Sequence, residues 1–276
     1  MLLFGTAGVP ISSKARDTAS GISRIGELGL GCMEIEFVRG VKMGEGTARE
    51  VRKIAEKEKV ALSVHAPYFI NLNSNEKEKA MASAQRIKDS ARIGVLCGAG
   101  DIVFHTAYYQ KNSKERVYQV VKKQLNEILE WLDAQKIDVC LRPETTGRKT
   151  QFGTIEEIIN LSRELKNVLP CVDFSHIHAR TRTYNSYEEF SEILAKIEKE
   201  LGREALKNLQ VHISGIEYGH AGEKRHLNLR ESDFKYKELL KAFRDFGAGG
   251  AVICESPNLE EDALLLQEEY KKGGIL

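Results

Sequence analysis

The feature that most constrains the fold of this chain is a pattern that recurs eight times along its length. Each repeat has a short apolar run rich in Val, Ile or Leu, a polar turn, and an amphipathic segment with lysines and glutamates. Such apolar runs predict buried strands, and the amphipathic segments predict the helices that cover them. Eight alternations in 276 residues match a (β/α)8 barrel in number and size. We therefore predict an α/β fold, a TIM barrel.

The predicted strands and helices alternate from one end of the chain to the other. The strands are predicted at residues 2–5, 32–37, 60–65, 101–105, 137–144, 168–173, 209–213 and 251–255. The helices are predicted at residues 14–28, 47–59, 76–96, 113–135, 154–165, 186–201, 234–246 and 259–271. A doubly wound open sheet is the competing architecture, but residues 5–10 lack the glycine spacing of a dinucleotide-binding fingerprint. Because no Pro- or Ser-rich linker divides the chain, we predict one domain over residues 1–276.

Charge and cysteine content narrow the partners and the compartment. The 41 basic and 40 acidic residues nearly cancel, so an anionic partner would need a local patch of charge. No apolar run is long enough for a membrane span, and no signal peptide is evident. The cysteines include no C-x-x-C pair and lie mostly in apolar runs; they are Cys32, Cys97, Cys140, Cys171 and Cys254. We expect buried thiols in a cytoplasmic protein that does not bind membranes.

Six consecutive predicted strands, from the third to the eighth, carry a histidine or a carboxylate at or near their ends. These residues are His65, His105, Glu144, Asp173, His212 and Glu255. In a TIM barrel the C-terminal ends of the strands converge, so these side chains would meet. Converging carboxylates repel one another and are costly to bury, and bound cations remove that cost. Histidines and carboxylates without cysteine suit Zn²⁺, with Mn²⁺ or Fe²⁺ as alternatives.

The number of candidate ligands bears on the reaction. A single catalytic zinc needs about three protein ligands, whereas six converge here and His176 and His226 are also available. That is enough for two metal ions or three. Metal pairs about 3.5–4 Å apart favour phosphoryl chemistry, because they stabilise both the attacking and the leaving oxygen. The loops after these strands also carry cations that could bind a polyanion, among them Arg148, Arg180, Arg182, Lys224 and Arg225.

Several motifs resemble those of the endonuclease IV family of apurinic/apyrimidinic endonucleases, within the xylose-isomerase-like TIM barrels. In chain order they are 65–72 (HAPYFINL), 104–105 (FH), 143–147 (PETTG), 173–176 (DFSH), 211–215 (VHISG) and 254–257 (CESP). The resemblance implies a metal-dependent hydrolase that acts on phosphodiester bonds. Its expected partner is damaged double-stranded DNA, cut on the 5′ side of abasic sites in base excision repair. Its expected cofactor is Zn²⁺, and we expect a monomer.

The resemblance also implies a role for each candidate ligand. His65 and His105 would hold one metal ion, and Glu144 would bridge it to a second. The remaining ligands of the second metal would be Asp173, His212 and Glu255. Glu144 and Glu255 would be catalytic, since they would position the attacking water or assist its deprotonation.

A third metal site is implied, but the chain departs from the family pattern there. The resemblance assigns His176 and His226 to this site. The family usually has an Asp two residues before the second of these histidines, where this chain has Lys224. The lysine ammonium could take the place of the third cation, or Glu217 or Glu223 could supply the missing ligand. The sequence leaves these alternatives open.

The resemblance predicts only some of the residues that would contact DNA. Tyr68 and Asn71 match positions in a DNA-facing loop of the family, whereas residues 36–42 lack its usual DNA-penetrating sequence.

Two other functions remain open. A sugar isomerase or epimerase of the same barrel class would hold one divalent ion, with Glu144, Asp173, His212 and Glu255 as its ligands. A protein that binds damaged DNA without turnover is the second alternative.

Overall fold

Eight parallel strands form a ring in the computed structural model of this protein, which describes residues 1–273. The strands within these residues are β1 (Leu2–Ala7), β2 (Cys32–Glu36), β3 (Ala61–His65), β4 (Asp101–Phe104), β5 (Ala107–Tyr108), β6 (Cys140–Pro143), β7 (Gln151–Phe152), β8 (Cys171–Asp173), β9 (Leu209–Ile213), β10 (Gly215–Gly219), β11 (Gly222–Leu227) and β12 (Gly250–Cys254). Eight of these strands form the ring, in the order β6–β4–β3–β2–β1–β12–β9–β8. Parallel bridges from Leu141 to Val168 and from Glu144 to Cys171 join its two remaining edges. The predicted TIM barrel is thereby confirmed.

The eight predicted helices all form close to their predicted bounds. With two additional short helices, α6 and α8, the series is α1 (Thr18–Glu27), α2 (Glu45–Glu58), α3 (Lys77–Cys97), α4 (Lys114–Ala134), α5 (Ile155–Glu164), α6 (Phe174–Thr181), α7 (Tyr187–Leu201), α8 (Arg203–Lys207), α9 (Tyr236–Asp245) and α10 (Glu260–Lys272). Apolar residues spaced by three or four positions face the barrel, as in α4, whose buried residues are Val117, Val121, Leu125, Ile128 and Leu132. At the start of α5, Thr154 and Glu157 form the capping box that their spacing predicts.

The interior of the barrel is polar. In many TIM barrels, layers of branched apolar side chains fill this space. Here Glu34 and Gln210 are almost fully buried within it, and so is Arg142. The Arg142 guanidinium donates hydrogen bonds to Asp101 and to the carbonyls of Pro170 and Asn208, near the N-terminal ends of the strands. The apolar core therefore lies mainly between the barrel and its helices, and a polar column rises through the barrel.

Two shorter antiparallel ribbons extend from the loops at the C-terminal ends of the strands. One pairs β5 with β7, and the other pairs β10 with β11. The sequence patterns do not predict these ribbons, nor α6 and α8.

The structure also bears on the predictions about the cysteines and membrane spans, but it does not test the number of domains. Four of the five cysteines are buried and Cys140 is partly exposed; all five are free thiols. Within the described part of the chain, no helix is long and apolar enough to cross a membrane. That residues 1–276 form one domain stays a prediction, and residues 274–276 lie outside the described residues.

The contact between β1 and β2 generates a test of the fold. A Cβ atom at Gly5 would lie 1.7 Å from the Cys32 carbonyl oxygen, so only glycine permits this strand pairing. We expect Gly5→Ala to lower the free energy of unfolding by more than about 3 kcal/mol, because backbone atoms would have to separate. Gly46, in the first turn of α2, has open space around it and is the matched control. Gly46→Ala should change the value by no more than about 1 kcal/mol. Denaturant unfolding of both variants checks the prediction, and equal stabilities would contradict it.

Candidate metal centre

The six predicted strand-end ligands meet at one end of the barrel. His65 and Asp173 are the last residues of β3 and β8, and His212 lies near the end of β9. His105, Glu144 and Glu255 directly follow β4, β6 and β12. Because the strands are parallel, these positions share one rim, which the sequence predicted from strand order alone.

Glu144 lies at the centre of this rim. Its carboxylate is fully buried, and its Oε2 atom lies 3.1 Å from Nε2 of His65 and 3.0 Å from Nε2 of His105. Its other oxygen, Oε1, lies 3.1 Å from Nδ1 of His176 and 3.5 Å from Nδ1 of His212. The two oxygens of one carboxylate therefore face two different sets of ligands.

Three groups of side chains in the described residues could each hold a metal ion, since their ligand atoms lie within 4.8 Å of one another. The first consists of His65, His105 and Glu144. The second consists of Glu144, Asp173, His176 and Glu255. The third consists of His176, Glu223 and His226.

His212 is outside these groups, yet its Nδ1 atom lies 3.5 Å from a carboxylate oxygen of both Glu144 and Glu255. His176 belongs to two groups, but its Nδ1 also lies 3.1 Å from the carbonyl oxygen of Thr145. If that nitrogen donates to the carbonyl, only Nε2 is free to bind a metal, and Nε2 faces the third group. His212 Nδ1 is then the nearest nitrogen for the second group, in agreement with the role that the resemblance implies.

The electrostatics of the rim fit bound cations. Burial acts to raise the pKa of Glu144, but His105 and His212 outweigh it and hold the pKa well below its usual range. Asp173 differs: burial, assisted by the charges of Glu255 and Glu144, raises its pKa well above the usual range. Charge on all of these carboxylates at once is therefore unfavourable without a compensating cation.

Buried polar atoms that lack hydrogen bonds also indicate that cations could bind at this rim. Among residues 1–273, the buried atoms without an aligned hydrogen-bond partner include Glu144 Oε1, Asp173 Oδ2, Glu255 Oε2 and both ring nitrogens of His212. Buried polar atoms are rarely left unpaired in folded proteins, and here they are of the types that bind divalent metals. The residues present thus fit a metal centre.

A β-bulge in the β10–β11 hairpin shapes the third group. Glu217 pairs with Arg225 and Tyr218 pairs with Glu223, so Lys224 is an extra residue without a cross-strand partner. In a regular strand, residues three positions apart point to opposite faces. The bulge shifts this alternation by one, and Glu223 and His226 therefore face the same side. Glu223 Oε2 lies 3.5 Å from Nε2 of His176 in that group.

The same bulge bears on the alternatives that the sequence left open. The Lys224 ammonium lies on the exposed face of the hairpin, where Nζ is 3.1 Å from Glu217 Oε1. This placement disfavours Lys224 as a substitute for the third cation. Glu217 pairs with Arg225 as well, at 2.8 Å, so it is also directed away from the group. Of the two glutamates considered, Glu223 is the one that lies with His176 and His226.

The tip of the hairpin is fastened to the loop between β6 and β7. Glu223 N–H donates to the carbonyl of Gly147, and Lys149 N–H donates to that of Ala221. A Cβ atom at Gly222 would lie 2.1 Å from the Gly147 oxygen, and its φ of +100° also favours glycine. This contact fixes the position of Glu223 over the site.

The predicted DNA-contacting residues lie on the same end of the barrel, in two kinds of environment. Tyr68, Arg148 and Arg182 are exposed. Lys224 and Arg225 are also exposed and form surface ion pairs with Glu217. Such pairs contribute little to stability, so a phosphate group could compete for these cations.

Arg180 and Asn71 instead hold loops together. Arg180 is buried, and its guanidinium donates to Thr146 and to the carbonyl of Arg148. This placement favours a structural role for Arg180 over contact with DNA. The Asn71 side-chain oxygen accepts hydrogen bonds from the backbone N–H groups of Asn73 and Tyr108.

Sequence reasoning missed three residues at this end of the barrel. Phe69 is exposed and packs edge-on against Tyr68, with ring centroids 5.0 Å apart. Glu34 and Glu36 lie on the same face of β2, where Glu34 is fully buried and Glu36 is partly exposed. Burial raises the pKa of Glu36 to about 8. The signal was present, since two carboxylates alternate within the apolar run Cys-Met-Glu-Ile-Glu.

The fold and these groups define a class of protein, a TIM barrel with a candidate metal centre at the C-terminal ends of its strands. Residues 22–272 match the family described as xylose isomerase-like TIM barrel, and the chain belongs to this family. It is 50% identical over 273 residues to an uncharacterized protein of Methanocaldococcus jannaschii, with 99% of this chain and 98% of that protein covered. It is 24% identical over 187 residues to a probable endonuclease 4 of Mycoplasma pneumoniae, which covers 66% of this chain and 63% of that protein.

Solved structures with the same fold carry different names. Endonuclease IV from Thermus thermophilus superposes with a TM-score of 0.75 at 20% identity, covering 98% of both chains. A D-tagatose 3-epimerase-like protein superposes with a TM-score of 0.73 at 19% identity, covering 97% of this chain and 96% of the other. The resemblance to endonuclease IV is confirmed, while the shared fold does not by itself select the reaction.

The third group generates a test with a matched control. We expect Glu223→Gln to lower the number of zinc ions bound per chain by about one, because an amide is a poorer metal ligand than a carboxylate. Glu217→Gln removes the same charge from the other face of the same hairpin and should leave the number unchanged. Elemental analysis after dialysis against a zinc buffer measures both. Equal zinc contents in the two variants would exclude Glu223 as a ligand.

Proposed function

We propose that this chain is a metal-dependent phosphodiesterase that hydrolyses damaged DNA on the 5′ side of abasic sites. The observation that carries the proposal is the placement of Glu144, whose two oxygens face separate sets of ligands. A carboxylate in this arrangement suits two neighbouring cations, and metal pairs favour phosphoryl transfer. The similarity to a probable endonuclease 4 adds support.

In this proposal, each group would hold one cation, with Zn²⁺ as the first candidate. His65 and His105 would hold the first, and Glu144 would be shared between the first and the second. The other residues that would hold the second are Asp173, His212 and Glu255. When bound, the cations would neutralise charge on the phosphate and lower the pKa of bound water. The third group, with Glu223 in place of the usual Asp, would hold the third.

Glu255 is the proposed acceptor for the proton of the attacking water. Burial acts to raise its pKa, but His212 and His226 outweigh this and lower the pKa below its usual value. The carboxylate is therefore charged at neutral pH, and its Oε2 atom has no hydrogen-bond partner within the described residues. A charged, unpaired oxygen beside the ligand groups can both orient a water molecule and take its proton.

The surface around the rim suits a nucleic acid in two ways. The exposed cations Arg148, Arg182, Lys224 and Arg225 can hold phosphates. On the other side of the site, the exposed rings of Tyr68 and Phe69 can stack on bases.

A sugar isomerase or epimerase is the second candidate. The epimerase-like neighbour favours it, and so do Glu34 and Glu36, which add two carboxylates on one face of β2, the first of them fully buried. Against it, a single ion in the second group would leave His65 and His105 without a metal. One tight ion per chain would favour sugar chemistry, and two or three would favour phosphodiester cleavage.

The decisive assay uses zinc- or manganese-loaded protein and a DNA duplex with one abasic site. We expect a cut on the 5′ side of the site that is lost with chelator and restored by added metal, because the cations supply charge that the side chains alone lack. An undamaged duplex of the same sequence is the control. No cleavage with either metal, in protein with an intact circular dichroism spectrum, would contradict the proposal, and sugar isomerisation would be assayed next.

A substitution tests the bridging role separately. Glu144→Gln should reduce cleavage by more than about 100-fold while the protein stays folded, because a neutral amide bridges two cations poorly. Glu260→Gln is the control: this carboxylate is also buried, but it accepts hydrogen bonds from Ile11 and Ser12 in another loop. Cleavage rates and thermal unfolding are measured for both. Near-normal turnover in Glu144→Gln would refute the bridging role.

A further inference from the structure

A carboxylate outside the three ligand groups lies on the far side of the His212 ring. Glu34 on β2 places Oε1 at 3.0 Å from Nε2 of His212, and both side chains are fully buried. The other ring nitrogen, Nδ1, faces Glu144 and Glu255 at 3.5 Å. The two nitrogens of this imidazole thus face acidic groups on opposite sides, and only Nδ1 faces the candidate metal centre.

Glu34 is held in place by two strands. Its Oε2 atom accepts hydrogen bonds from Ser63 Oγ at 2.7 Å and from Gln210 Nε2 at 2.9 Å. Ser63 lies beside it on β3, whereas Gln210 lies on β9, two positions before His212 and on the same inward face. The carboxylate therefore reaches across the barrel and contacts two successive inward residues of β9.

Glu34 Oε1 and His212 Nε2 lie within hydrogen-bond distance of one another, at 3.0 Å. Neither atom has an aligned hydrogen-bond partner in the described residues. A rotation of the ring that turns the Nε2–H group toward Oε1 would make this contact a hydrogen bond. A neutral imidazole carries one proton, so a proton on Nε2 leaves the lone pair of Nδ1 for a metal.

We propose that Glu34 is a positioning residue for the metal centre: it holds the proton of His212 on Nε2 and so directs Nδ1 to a cation of the second group. A carboxylate behind a ligating histidine fixes the orientation of the ring and makes it a stronger ligand. The inference rests on the proposed function in that His212 is taken as a metal ligand. It assigns a role to β2, which contributes no ligand to the three groups.

Zinc affinity distinguishes this role from a purely structural one. Wild type, Glu34→Gln and Glu260→Gln are titrated with Zn²⁺ in competition with a chromophoric chelator. We expect one zinc ion to bind Glu34→Gln about 10–100-fold more weakly than wild type, because the amide offers a single acceptor oxygen for three donors. Glu260→Gln, which loses a buried carboxylate elsewhere, should bind zinc as wild type does. Wild-type affinity in Glu34→Gln would overturn the proposal.

A second measurement reads the protonation of His212 directly in the wild-type protein. In zinc-loaded wild-type protein labelled with ¹⁵N-histidine, His212 should show a protonated Nε2 and a metal-bound Nδ1; its signals are assigned by their loss in His212→Gln. A metal-bound Nε2 in His212 would overturn the role of Glu34. This outcome differs from failure of the proposed function, in which wild-type protein would bind no zinc or would bind zinc without cleaving DNA.

Discussion

The structure of this protein depends on how it accommodates several buried carboxylates at one end of a barrel. Removing a charged carboxylate from water is unfavourable unless positive charge or hydrogen bonds compensate it. Histidines on neighbouring strands provide part of this compensation for Glu144, and the unpaired oxygens of Asp173 and Glu255 leave room for cations to provide the rest. The buried polar residues beneath them, from Glu34 to Arg142, need compensating charges or hydrogen bonds for the same reason.

Parallel strands make such a concentration of charge feasible. Six of the eight barrel strands each deliver one candidate ligand to the same rim, and the surrounding helices supply the apolar burial that stabilises the fold. The hydrophobic and chemical tasks are thereby separated: the outer face of the barrel packs against the helices, and the inner face and rim carry the polar groups. This separation explains how one fold occurs in proteins named endonuclease and epimerase, since the rim and loops can change without altering the packing outside.

The β10–β11 hairpin shows how a local irregularity brings the side chains of a candidate metal site together. The Asp that the resemblance to endonuclease IV leads one to expect at position 224 is replaced by Lys224. In a regular strand, Glu223 would point away from the side on which His226 lies. Because Lys224 is an extra residue in the strand, Glu223 and His226 point to the same side. The close contact of Gly222 with the Gly147 carbonyl holds Glu223 in this position. The contact between Glu34 and His212 also depends on tertiary structure, because β2 and β9 lie three places apart in the ring.

The sequence by itself determined the eightfold alternation, the rim on which the candidate ligands meet and the identity of six of those candidates, because periodicity and strand order depend on local residue patterns. The tertiary structure decided which atoms face one another. The bulge at Lys224 depends on cross-strand register, and the contact between Glu34 and His212 joins residues 178 positions apart. The burial of Arg180 depends on how two loops pack. Distances of this kind arise from barrel closure, and no local pattern in the chain encodes them.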